Sequence, residues 1–374
     1  MSIIRKPSYY KYFKCIADKC TDSCCEKWEI DIDEDTLEFY KSVEGEFGER
    51  LRKNICFSEC DDEPSHFIQT QDERCPFLNE CNLCDIFLNL GEEKLSQICT
   101  HHPRFYEWFT NITEAGLGMC CEEAARLILT ENVNNHSRRF VEETEDESSE
   151  NDKFEDGISE DDEMDYKELE DLLFEIRAEL FEIIDGRDNI IGVQDKIYAE
   201  IPKMQSRYDD YLFGECMKED KDGESMVYNV ENKSWQDYFF NKNLILKLLD
   251  FYQGLEINDM EWWEKLEVIK ENVDEILASK DDFLRFYSDR IYEYRNLMVY
   301  FIYRHFMKIR FDDMLREKNM FCLLSVSTIE ILDIWEWINK GALSLKDQID
   351  ICKLFSKEIE YDEENTEKLS LFDV

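Results

Sequence analysis

The sequence predicts a mainly α-helical chain: a cysteine-rich, metal- or cluster-binding N-terminal part followed by an α-helical bundle. Three observations carry this. Twelve of the 15 cysteines fall within the first 121 residues. Beyond residue 168, apolar side chains recur at three- and four-residue steps, the period of a helix with one buried face. Between these parts runs a stretch too acidic to pack. At 374 residues and 43% hydrophobic side chains there is material for a large core. The expected divisions are a cysteine-rich domain over 1–135, an acidic linker over 136–167 and a helical domain over 168–374.

In the first part, turn signals such as Asp61-Asp62-Glu63-Pro64 and Cys75-Pro76 keep helices short. Gly91-Glu92-Glu93-Lys94-Leu95 reads as the start of one, and residues 122–129 as another by propensity. Over 142–170, sixteen acids stand against two lysines, the pattern of a solvated linker. Leu169, Leu172, Leu173, Ile176, Leu180, Ile183 and Ile184 then form a helical stripe. Trp235, Tyr238, Phe239, Ile245, Leu248, Leu249 and Tyr252 form a second, and Tyr294, Leu297, Met298, Phe301 and Ile302 a third. Leu345, Ile349, Cys352, Phe355 and Ile359 form the last, with Ser344 placed to cap it ahead of Asp347.

Charge narrows the partners. The count of 44 basic against 88 acidic residues gives −44. Such a chain repels phosphate backbones and anionic lipid, so neither nucleic acid nor membrane is an expected partner. A lysine-bearing protein surface is favoured. The longest strongly apolar run, Leu297–Tyr303, is far short of the roughly 20 residues that span a bilayer. The opening MSIIRKPSYYKYFKC has no apolar signal core, so a cytoplasmic protein is expected.

In a reducing compartment, dense cysteines point to metal or iron–sulfur ligation rather than disulfides. Cys15, Cys20, Cys24 and Cys25 lie within eleven residues. Short spacings bring thiolates to one centre at little cost in chain entropy. Cys24 and Cys25 are adjacent, so their side chains diverge. Cys75-Pro76-Phe77-Leu78 leads to Cys81, Cys84 and Cys99, and Cys120 follows. Thiols outnumber any single four-ligand site, and Cys56, Cys60, Cys81 and Cys121 are read as spectators. In Thr100-His101-His102-Pro103-Arg104, either histidine could ligate a metal, and Arg104 can bind a carboxylate bidentately. Phosphate-binding glycine signatures are missing: Gly116-x-Gly118 is the nearest approach. A radical-type CxxxCxxC fails at Lys27 after Cys20 and Cys24, and at Glu63 after Cys56 and Cys60.

One string combines these features. It runs Tyr12-x-x-Cys15, Cys20, Cys24-Cys25-x-x-Trp28-x-Ile30-x-Ile32-Asp33, then Arg74-Cys75-Pro76-Phe77-Leu78 and Leu83-Cys84-x-Ile86. It continues through Leu90-Gly91-Glu92-Glu93-x-Leu95-Ser96, Cys99 and Pro103-Arg104, and closes on Cys120-x-x-Glu123-Ala124-Ala125-Arg126-Leu127-Ile128-Leu129. This resembles the flagellin lysine-N-methylase family, whose front end carries a CxxCxxCC-type zinc/iron-chelating module. The resemblance covers residues 7–130. It continues more weakly at Ile176-Arg177 and Tyr300-Phe301-Ile302-x-Arg304. Cys121 stands where the family usually has Pro, His102 replaces the usual Tyr, and Cys81 is extra.

The resemblance implies a protein-lysine N-methyltransferase that methylates lysine ε-amines of flagellin. It implies S-adenosylmethionine as donor and a [4Fe-4S] cluster, with zinc as the alternative metal. The recurring thiols map onto Cys15, Cys20, Cys24, Cys25, Cys75, Cys84, Cys99 and Cys120. Arg104 and Trp28 are the candidates for donor binding, with Tyr12 and Asp33 beside the cysteines. A rival from another class is a non-enzymatic metal-binding scaffold or chaperone for a flagellar or other lysine-rich partner.

Overall fold

The computed structural model describes residues 2–21, 23–26, 29–58, 64–131, 139–145, 160–186, 189–214, 234–257 and 259–372, with helix 160–165 described in backbone only. Trp28, Cys60 and Cys216 lie outside them. The chain forms two units. One comprises Met1–Lys11, Tyr106–Gly116 and Ala125–Val374, and is mainly helical. The other, Tyr12–Phe105 with Leu117–Ala124, carries the cysteines.

Strand β1 (Ser2–Pro7) belongs to the helical unit. The cysteine-rich unit then runs through β2 (Asp31–Ile32), α1 (Glu34–Ser42), α2 (Gly45–Lys53), β3 (Ile55–Cys56), β4 (Ser65–Phe67), α3 (Asp85–Leu90) and α4 (Gln97–His101). Asp33 starts α1 by accepting the Thr36 N–H at 3.0 Å. Strands β2, β4 and β3 form a three-stranded antiparallel sheet in that order. The helices are short, as the turn signals require. Their apolar faces and the sheet enclose a core of Ile30, Ile32, Tyr40, Leu51, Ile55, Phe67, Phe77 and Ile86, with Cys75 inside it and Cys25, Cys84 and Cys99 packed against it.

Strands β5 (Arg104–Trp108) and β6 (Ile112–Leu117) and helix α5 (Glu122–Thr130) follow, then β7 (Phe140–Glu145). The sheet order is β5-β6-β1-β7, with β1 parallel to β6 and antiparallel to β7. The sequence reading assigned none of these strands. Of 136–167, expected as an acidic linker, 140–145 form β7, 160–167 begin the next helix, and 136–138 and 146–159 lie outside the described residues. The acids of β7 are usable in a strand because β1 supplies the countercharge. Arg5 pairs with Glu142 at 2.8 Å and Lys6 with Glu143 at 3.1 Å.

The rest of the helical unit is α6 (Glu160–Asp185), α7 (Ile190–Phe213), α8 (Trp235–Phe239), α9 (Lys242–Gln253), α10 (Met260–Glu271), α11 (Val273–Phe286), α12 (Tyr292–His305), α13 (Ile309–Asp312), α14 (Leu315–Lys340), α15 (Leu345–Phe355) and α16 (Glu363–Ser370). The stripes read from sequence point inward: Leu173, Ile176 and Leu180, then Trp235, Phe239, Ile245 and Leu248, are all buried. Ser344 and Asp347 form the expected capping box. Helix α14 is buried nearly all round from Leu315 to Ile334, which makes it the axis of the bundle. It contacts α7, α11, α12, α15 and α16. One buried ion pair pins the sheet to the helices. Arg177 of α6 grips Glu114 of β6 with both terminal nitrogens, at 2.5 and 2.8 Å. Arg5 adds a third contact at 3.0 Å, and the Arg177 guanidinium lies over the rings of Phe174 and Tyr303. Among the described residues, no helix is long and apolar enough to cross a membrane.

Candidate functional site

The cysteine-rich unit gathers its thiols from separate segments. Cys84 sits at the N-terminus of α3, where the Ile86 and Phe87 N–H groups point at its sulfur. Cys75 receives the N–H groups of Phe77 and Leu78 in the same way, because Pro76 turns the chain back on itself. Cys121 precedes α5 and receives those of Glu123 and Ala124. Such N–H···S contacts stabilise a thiolate, as a helix N-terminus does. Burial works against them. It pushes Cys75 and Cys121 up to about 12 and Cys99 up to about 11, and raises Cys84.

After burial, the like charge of other cysteines adds to these rises. Cys99 and Cys84 push up Cys75, and Cys24 pushes up both Cys84 and Cys99. Cys75, Cys84 and Cys99 therefore lie within charge reach of one another, with Cys24 within reach of the latter two, drawn from four segments of the chain. Cys121 feels Cys20 and Cys24 in turn. It was read as a spectator, yet it neighbours the set. Of the remaining expected ligands, Cys15 is exposed and Cys120 is buried. Cys25 packs on the core, and its carbonyl accepts the Cys75 N–H at 2.7 Å. Among the described residues, no three Cys, His, Asp or Glu side chains are close enough to hold a metal ion as they stand.

Arg50 fastens the Cys75–Cys84 turn. It bonds Asp85 at 2.6 Å and the Pro76 carbonyl at 2.7 Å, with its guanidinium over the Phe77 ring. Asn79 closes the turn from inside: its Oδ1 accepts the Cys81 and Leu83 N–H groups. The Cys20 segment is tied to α5, where Glu122 accepts from the Thr21 N–H at 2.9 Å and the Thr21 hydroxyl at 2.5 Å.

Arg104 rests its guanidinium over Phe13 at 5.1 Å and donates to the Thr100 carbonyl at 3.3 Å. Tyr12 is exposed. Asp33 is occupied structurally. Burial would raise its carboxyl, but the N–H groups of Gln97 and Thr36 outweigh that and hold it below the usual range. It is a cap rather than a base.

Residues 188–371, nearly half of the chain, match the family described as FliB lysine N-methylase C-terminal domain. Over those residues the chain is similar to lysine N-methylases. It is 27% identical over 133 residues to the flagellar biosynthetic protein FliU of Salmonella muenchen, covering 34% of this chain and 78% of that protein. It is 26% identical over 140 residues to the lysine-N-methylases of Salmonella choleraesuis and Salmonella typhimurium, covering 34% of this chain and 33% of each. The match thus spans about a third of the length of those two enzymes. No solved structure matches.

The family match takes in α7 to α16, including Tyr300 and Arg304, which the sequence reading singled out. There Tyr300 donates to Glu360 at 2.7 Å, His305 Nε2 meets the same carboxylate at 2.8 Å, and Arg304 lies at 3.2 Å. Although burial opposes ionisation, the Arg304 charge and the His305 contact hold Glu360 down at about 2. Sequence reasoning missed Glu360, Arg50 and Glu114. The signal for Glu114 was present as a lone acid within Ile112-Thr113-Glu114-Ala115, where an apolar side chain would be expected of a buried strand.

Proposed function

We propose that the chain is a protein-lysine N-methyltransferase that methylates lysine ε-amines of flagellin, with S-adenosylmethionine as donor. The family match supports the lysine chemistry, and the flagellar naming of the FliU relative supports the substrate. The reading rests on the approach of Cys75, Cys84 and Cys99 from separate segments, with Cys24 near Cys84 and Cys99, and on the backbone N–H groups that Cys75 and Cys84 receive. The donor set is all sulfur, which suits zinc or an iron–sulfur cluster and not magnesium or calcium. Thiols raised this far are held deprotonated only by a positive centre. Cys24, Cys75, Cys84 and Cys99 would hold the [4Fe-4S] group, with Cys20 and Cys121 next to them. When bound, it supplies that positive charge and ties four chain segments together.

The protein's own task is to present a neutral amine. Free lysine has a pKa near 10.4, so a group must accept a proton or a pocket must depress that value. The acidic surface draws a lysine-bearing partner by long-range attraction. The same field favours the ammonium form, so the deprotonation must be local.

The test is anaerobic purification followed by incubation with purified flagellin and methyl-labelled donor. Label recovered in lysine is the expected result. An iron- or zinc-loaded protein that binds flagellin and transfers no label would be a scaffold, and would refute the enzymatic reading. For the ligands, Cys24→Ala and Cys84→Ala should lower bound metal while the exposed Cys56→Ala should not. Equal loss in all three would sink the assignment.

A further inference from the structure

The two edges of the four-stranded sheet differ. On the β5 side the Trp108 carbonyl accepts from Arg310 of α13 at 2.6 Å, so a side chain covers the edge there. Strand β7 forms the other edge. It pairs with β1 from Ser2 opposite Glu145 to Pro7 opposite Phe140. The ladder runs one pair further, where the Ser8 N–H donates to the Arg139 carbonyl at 2.8 Å. Bonded pairs alternate along an antiparallel ladder, so Arg139, Val141 and Glu143 turn their backbone groups toward β1. The N–H and C=O groups of Glu142 and Thr144 therefore point the other way, along the open edge. Among the described residues β7 has no neighbouring strand but β1, and residues 141–144 are all exposed.

Proteins commonly blunt such an edge with a proline, a bulge or a lysine. Strand β7 reads Phe-Val-Glu-Glu-Thr-Glu and holds an unbroken register, so it carries none of these. It is a template for a further strand, a mode in which backbone bonds supply affinity and side chains supply choice.

Charge decides what can lie there. Glu142 gives Oε1 to Nε and Nη2 of Arg5, at 3.0 and 2.8 Å, and Glu143 gives Oε2 to Lys6 at 3.1 Å. The second oxygen of each carboxylate is unbonded among the described residues, and the two side chains are 52% and 59% exposed. A second copy adding its β7 to this one would set these glutamates against their own kind. The residues that follow in sequence, Asp146-Glu147-Ser148-Ser149-Glu150, would do the same. An extended segment bearing lysines meets complementary charge instead. Successive side chains of a strand point to opposite faces, so two neighbouring lysines of that segment stand one beside Glu142 and one beside Glu143.

We propose that the open edge of β7 captures an extended, lysine-bearing segment of a partner protein as a further strand, bonded to the backbone of Glu142 and Thr144, with ammonium groups beside the Glu142 and Glu143 carboxylates. This goes beyond the methyltransferase reading, because a scaffold could capture its partner on the same edge.

The test follows hydrogen exchange of the Glu142 and Thr144 N–H groups in the full chain, with and without a blocked peptide Thr-Val-Lys-Lys-Val-Thr. Both groups should exchange fast in the free chain, and saturating peptide should slow them at least tenfold. A peptide with glutamates in place of the lysines should give no protection, and neither should a lysine peptide whose alternate backbone nitrogens are methylated. Affinity should fall as salt is raised. Thr144→Pro removes an outward donor and no bond to β1, so it should abolish protection at Glu142 and leave Val141 and Glu143 protected as before. Glu142→Gln combined with Glu143→Gln should weaken the peptide roughly three- to tenfold. Slow exchange of Glu142 and Thr144 in the free chain would overturn the proposal, whether a second copy or another stretch of the same chain covers the edge; dilution exposes the first and not the second. Peptide binding that survives backbone methylation would overturn it too, as attraction by surface charge alone. Protection without label transfer to flagellin would sink the methyltransferase reading and leave the edge standing. Transfer to flagellin with no protection by the lysine peptide would do the reverse.

Discussion

Replacing Glu330 by Gln should stabilise the chain, by an amount that grows with pH. Glu330 lies in the middle of α14, fully buried, and neither carboxyl oxygen has a hydrogen-bond partner among the described residues. Burial pushes its carboxyl up to about 7, while Lys280 on α11 pulls weakly the other way. In the unfolded chain the group returns to the ordinary glutamate value near 4.3. The folded state therefore holds the proton more tightly than the unfolded state. The resulting stabilisation is fully present at acid pH, declines as pH climbs from about 4.3 to about 7, and is gone above that. At about 1.4 kcal/mol per pH unit, the decline amounts to roughly 4 kcal/mol. Gln fills the same space and cannot ionise. Urea unfolding of both proteins at pH 5 and pH 8 measures the difference directly. The variant should lead by about 1 kcal/mol at pH 5 and by nearly 4 kcal/mol at pH 8. Taking the difference removes groups that titrate equally in both, although Asp333, one turn along α14, feels Glu330 and will shift slightly. A stability difference independent of pH, or one favouring the wild type at pH 8, would refute the argument.

Two further perturbations follow from the packing. Arg177→Met should cost about 3–5 kcal/mol, because it strands the Glu114 carboxylate inside the unit with Arg5 as its remaining partner; a loss under about 1 kcal/mol in denaturant unfolding would show that Arg5 alone suffices. Ser344→Ala should cost about 1 kcal/mol by removing the α15 cap, with Ser344→Gly costing less; thermal unfolding of the pair, with equal losses for both, would show that the hydroxyl is not the source.

The helical stripes were legible because local spacing alone sets them. Leu173, Ile176 and Leu180 needed no partner sequence to reveal a buried face, and Ser344 announced its helix three residues ahead. The strands were not legible. Strand β1 pairs with β6 and β7, more than a hundred residues away, and is parallel to the first, so no hairpin turn marks it. Strand β7 was hidden by its own acids, whose neutralising partners Arg5 and Lys6 stand at the far end of the sequence. The cysteines were legible as a group from crowding. Their partition was not, because it depends on which loops fold back together: Cys24 and Cys99 are 75 residues apart and still share a field.

The cysteine-rich unit is inserted into the other in two pieces, Tyr12–Phe105 and Leu117–Ala124. The chain passes from one unit to the other four times: between Lys11 and Tyr12, inside β5, inside β6 and inside α5. Recombination that exchanged either unit for a foreign one would have to break a hydrogen-bonded backbone at each of the last three passages. The same layout guides anyone who wants the thiols in isolation: a single cut will not release them, and a short Gly/Ser bridge joining residue 105 to residue 117 must be combined with cuts after Lys11 and inside α5.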